Sequence, residues 1–192
     1  YSVASQYGTH VDVPLHFWGD GRDMSKITVK ELVYPLVVVD KSKECAENAE
    51  FTMTVADLEK WESENGRIPE GAFVAFRSDW HKKSNLDNPD ESGNPHYPGW
   101  SVDAIKWLVE ERNIGAIGHE PADTDPSYVT TREDAYPYPG EQYILETDRI
   151  QIEVMRNLDQ VPAVGAMIVC AFPKLKDGTG FPARCFAICP ED

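Results

Sequence analysis

The chain has 192 residues, 41% hydrophobic and 27% charged, which suits one globular domain over 1–192 with a sizeable core. Its 33 Asp and Glu against 18 Lys and Arg give a formal charge of -15, which repels phosphate backbones and anionic membranes and argues against both as partners. No run approaches the ~20 apolar residues of a membrane span, so a soluble, cytoplasmic protein is expected; the chain opens at Tyr1 without an initiator Met, so an N-terminal segment is expected to be missing.

In chain order, the segment from Gln6 to His16 reads as extended, with Pro14 keeping it from being an interior strand. Pro35-Leu36-Val37-Val38-Val39 predicts a buried strand. Thr54 caps a helix bearing Val55, Leu58 and Trp61, with Asp57 closing a capping box. A second strand is predicted at Ala72-Phe73-Val74-Ala75-Phe76. From His81 to Gly99 a polar stretch rich in Asn, Asp, Gly and Pro reads as a surface excursion, with His81 and His96 exposed. Ser101 caps a helix with Val102, Ile105, Leu108 and Val109, and a strand follows at Ala116-Ile117-Gly118. A further excursion spans Glu120 to Gly140, and strands return at Ala166–Cys170 and Arg184–Ile188. Strands interleaved with few helices predict an α/β layer with mixed sheet. Cys45, Cys170, Cys185 and Cys189 are too sparse for a disulfide framework and read as buried thiols.

The chemistry concentrates near the start. In an extended stretch, residues an even number apart share a side, so Gln6, His10 and Asp12 can converge, and Pro14 can turn the chain so that His16 swings back toward them. Imidazole and carboxylate suit zinc or manganese, and Gly8-Thr9 lets backbone bend closely round an ion. Phe17 and Trp18 follow and can line a pocket for a planar substrate, or simply join the core; Trp80, Tyr97 and Trp100 raise the same question. His119, at the end of a predicted strand, is either a catalytic or substrate contact or a solvated loop residue. Arg184 can clamp a substrate carboxylate or pair with a local acid.

The string Gly8-Thr9-His10-Val11-Asp12-Val13-Pro14-Leu15-His16 resembles the signature of the cyclase family of metal-dependent hydrolases. The resemblance continues through Tyr97–Trp100, Gly118–Glu120, Asp123–Asp125, Gln151–Asp159 and Gly180–Arg184, essentially the whole chain. It implies a swivelling β/β/α domain with mixed sheet, assembled as a homodimer or homotetramer. It also implies that His10, Asp12 and Glu153 bind metal and that His16 donates and accepts the proton. Two positions depart from the formamidase pattern within that family, where histidines fall at Gln6 and Glu141. Both can still offer oxygen, so the site is expected to hold one or two divalent ions, Mn2+ or Zn2+.

The activity so implied is hydrolysis of an amide, cyclic amide, N-formyl amide or lactone in a small molecule. A structural metal, a binding protein that has lost turnover, and a metal-assisted lyase or isomerase are the alternatives.

Overall fold

The computed structural model describes residues 2–191. Among the described residues ten strands and five α-helices follow in chain order: β1 (His10–Asp12), β2 (Val33–Asp40), α1 (Ser42–Glu47), β3 (Thr52–Met53), α2 (Val55–Asn65), β4 (Phe73–Arg77), β5 (Gly99–Trp100), α3 (Val102–Arg112), β6 (Ala116–His119), α4 (Ser127–Thr130), α5 (Pro139–Glu146), β7 (Ile150–Glu153), β8 (Ala166–Ala171), β9 (Gly180–Pro182) and β10 (Arg184–Ile188). Eight strands form one mixed sheet in the order β10-β8-β2-β4-β6-β7-β1-β9, and β3 and β5 form a parallel pair beside it. The steps β2–β4, β4–β6 and β6–β7 are parallel; β1, β8, β9 and β10 join antiparallel. The α/β, mixed-sheet expectation holds.

The sheet's two edge strands, β9 and β10, are separated in sequence by Ala183 alone. The chain can pass from one edge to the other in one residue only if the sheet curls until its edges nearly meet. The Ala183 N–H, donated to the Thr9 carbonyl at 2.9 Å, pins that seam.

Curling divides the core in two. Leu36 and Val38 of β2 face the enclosed side with Val11, Phe73, Ile152 and Ile168, while Val37 and Val39 pack with Leu58, Trp61, Leu108 and Ile144 beneath α2, α3 and α5. A strand buried on both faces must be apolar throughout, which is why Leu36–Val39 shows no alternation. The predicted caps form: Thr54 and Asp57 make the capping box, and Ser101 accepts from the Ala104 N–H. Trp100 belongs to the helix-side core. His81 is not exposed as expected, because its ring turns inward onto the buried carboxylate of Glu120 at 2.7 Å. Cys45 and Cys170 are buried, but Cys185 is half-buried and Cys189 exposed, because β10 lies at a sheet edge. No helix of the described residues is long and apolar enough to cross a membrane.

Candidate metal centre

Register builds the site. In the antiparallel β1–β7 ladder His10 stands opposite Glu153 and Asp12 opposite Gln151, so two alternating pairs project from one face. Val11 and Ile152, opposite each other, turn into the enclosed core. His10 Nε2 lies 3.3 Å from Asp12 Oδ2 and 3.3 Å from Glu153 Oε2, and one ligand atom from each of the three residues falls within 4.8 Å of the others. All three are buried.

The residues around this trio fix its aim. Gly8, at φ +66°, turns its carbonyl onto His10 Nδ1 at 2.8 Å, which leaves Nε2 to face the carboxylates. The Thr9 hydroxyl donates to the Val154 carbonyl at 2.6 Å, tying the two ligand-bearing strands together. Val154 itself has φ +54°, a strained setting for a β-branched residue, where the chain reverses immediately after Glu153. Beside Asp12, a Cβ on Gly180 would sit 2.6 Å from Oδ1, so glycine there keeps room for the carboxylate.

Sequence reasoning missed Gln151. Its amide N–H groups face Glu141 at 2.9 Å, Glu153 at 3.0 Å and, more distantly, Asp12 at 3.4 Å, while its oxygen accepts from Thr124 at 2.7 Å. The available signal was parity: two residues before Glu153 on a strand means the same face. Asp125 is another. Its carboxylate accepts the Gly140 and Glu141 N–H groups that open α5, which sets Glu141 over the site.

His10, Asp12 and Glu153 converge. Glu141 stands outside that trio and meets it through Gln151, with Oε1 3.7 Å from His16 Nε2. Gln6 directs its amide N–H groups to Asp12 at 2.9 Å and lies 2.8 Å from His16 Nε2, so it faces the site as a donor. His16, with a quarter of its side chain exposed, stands at the edge of the site. His119 lies wholly buried behind Glu153, with Nε2 3.2 Å from Oε1, and is not the solvated loop residue of the alternative reading. Phe17 packs edge-on to His16 at 4.8 Å and near Tyr138 at 5.9 Å, extending an aromatic flank to Tyr136 that the sequence did not suggest. Trp18 joins none of the described aromatic pairs and is 37% exposed, because the tight turn from Pro14 to Gly21 carries it outward. Arg184 is exposed and forms no ion pair with a described carboxylate.

The electrostatics ask for a cation. Burial works against a charged His10, yet hydrogen bonds and charge from Asp12 and Glu153 prevail and push it up to about 10. Burial would raise Glu153, but its bonds to His10 and His119 hold it at about 2. Glu141, buried and crowded by Glu153 and Asp12, is pushed up to about 10. One imidazole nitrogen of fixed direction, two carboxylates and surplus negative charge fit a divalent metal ion.

The Cyclase family model matches residues 1–126. The chain is 35% identical to isatin hydrolase of Roseibium aggregatum over 96% of its own length and 72% of that protein's. It belongs to the cyclase family. Among solved structures, isatin hydrolase A from Ralstonia solanacearum superimposes with a TM-score of 0.91 at 34% identity, covering 98% of this chain and 74% of that one. An isatin hydrolase bound to the product analogue thioisatinate gives 0.90 at 32% identity, covering 99% and 74%. Within the family the chain is an isatin hydrolase-like hydrolase.

Proposed function

We propose that the chain hydrolyses the C–N bond of a small planar cyclic amide, using Mn2+ or Zn2+ held by His10, Asp12 and Glu153. The observation that carries this reading is the buried imidazole–carboxylate trio, with His16 and its aromatic flank joined to it through Gln6 and Glu141. A divalent ion bound there supplies Lewis acidity toward a carbonyl and an acidified water.

The chain's own groups do the rest. Gly8 holds the His10 ring in one tautomer, and His119, Thr124 and Gln151 hold the Glu153 carboxylate. His16, reachable from solvent yet within 3.7 Å of Glu141, receives the proton of the attacking water and returns it to the leaving nitrogen. Phe17 and Tyr138 offer ring faces and edges to a planar substrate. Gln6 and Gln151 spend their amide donors on the carboxylates Asp12, Glu141 and Glu153, which favours one ion over two.

The same reading has the protein soluble, cytoplasmic and self-associating as a homodimer or homotetramer. Val33, Met167, Phe186 and Ile188 leave exposed apolar surface on the outer side of neighbouring β2, β8 and β10, a face suited to a second copy.

Turnover of cyclic amides in oxygen-18 water tests the reaction class. Hydrolysis puts the label in the new carboxylate; product without label contradicts the reading and favours a lyase or isomerase. Activity that survives complete chelation contradicts the metal's role.

A further inference from the structure

On the opposite side of the sheet from the carboxylates, Cys170 and Cys185 are direct partners in the antiparallel β8–β10 ladder. Ala166, Ile168 and Cys170 of β8 turn into the enclosed core, and Cys185 and Ala187 of β10 pack against it, so the two thiols share a side. Opposed residues of such a ladder have Cα atoms about 4.5–5.5 Å apart, within the ~4.4–6.8 Å that a disulfide spans. Both thiols are free. Their access differs. Cys170 is fully covered, whereas Cys185 lines a 440 Å³ cavity at the mouth of the curled sheet, beside Arg156, Phe186 and Cys189.

We propose that Cys170 and Cys185 form a redox modification site that closes to a cross-strand disulfide when a hydroperoxide enters that cavity. The Cys185 sulfur attacks the peroxide O–O bond, becoming a sulfenic acid as one oxygen leaves as water. The Cys170 sulfur then displaces the sulfenic oxygen as a second water and forms the S–S bond. Two thiols lose two electrons and two protons, and one hydrogen peroxide becomes two waters. Cys189 cannot replace Cys170: four residues along an extended strand place it about 13 Å from Cys185. Cys45 lies in the other core, beneath the helices. The bond would staple β10 to β8 just past Ala183, where the sheet closes.

The test uses the whole reduced chain, treated with equimolar hydrogen peroxide, alkylated under denaturing conditions and digested without reductant. The expected product is a peptide pair linked through Cys170 and Cys185, lighter by two hydrogens than its parts and released by dithiothreitol. The oxidised chain should also melt higher than the reduced one by on the order of 5 °C. In Cys170→Ser, dimedone should capture a sulfenic acid at Cys185; the peptide map of the unaltered chain decides the matter if that variant does not fold. Free, alkylated Cys170 and Cys185 after peroxide, or a link from Cys185 to any other thiol, overturns the proposal.

Discussion

The outer face of the β1–β7 ladder carries His10, Asp12, Gln151 and Glu153, whereas its inner face, one residue along either strand, carries Val11, Ile150 and Ile152. Two strands thus serve two purposes. The apolar face holds the backbone in a close-packed core, and the polar face inherits that rigidity without a side chain of its own in the core. A carboxylate cluster buried this deeply repels itself unless cationic or N–H donors surround it. The amides of Gln6 and Gln151 and the imidazoles of His10 and His119 do so here. The inner face needs only shape.

If that division is real, variants on the two faces should fail differently. On the polar side, His16→Ala should lower kcat by about 10²–10⁴-fold while leaving the melting temperature and metal content near those of the parent. Comparable losses in kcat and metal content would remove its assignment to proton transfer. On the apolar side, Ile152→Ala should cost about 2–5 kcal/mol in denaturant unfolding, with the folded fraction retaining its turnover per chain. A mild stability change with a collapse in turnover would blur the two faces. Between them, His119→Asn removes the group that aims Glu153, and metal affinity should fall about 10–100-fold with the fold intact; isothermal titration reads it, and unchanged affinity would return His119 to a purely packing role.

The smallest effect concerns Asp125 at the start of α5. Burial raises it to about 6 against the opposing pull of the Glu141 and Gly140 N–H groups. The folded chain therefore binds this proton more readily than the unfolded one. Its contribution to stability is present below about pH 4 and is lost as pH rises through 6. A carboxyl carbon titration by NMR should place the midpoint near 6; a midpoint near 4 contradicts the burial argument.

Much of this was legible because strand parity is visible in sequence. His10, Val11, Asp12 and Val13 alternate in type as they alternate in space, and the capped helices at Thr54 and Ser101 announced themselves. The pairing of His10 with Glu153 was not legible from local pattern, since it spans most of the chain and depends on ladder register; the family resemblance supplied it. The helix α5 went unread, its first two residues falling in the polar excursion, because Pro139 and Gly140 read as turn residues, although Pro at a helix start is favourable and Asp125 caps that start from a distance. Trp18, read as pocket wall or core, is 37% exposed and so no core residue, because the turn that decides its direction is a backbone property.

Whether His10, Asp12 and Glu153 hold an ion on which turnover depends is read by measuring bound manganese and zinc by mass spectrometry, alongside cyclic-amide hydrolysis, in the parent chain and in His10→Ala. The expected result is one ion per parent chain, and a variant that folds but loses both the ion and turnover together. A folded His10→Ala chain that keeps its metal and its rate would contradict it.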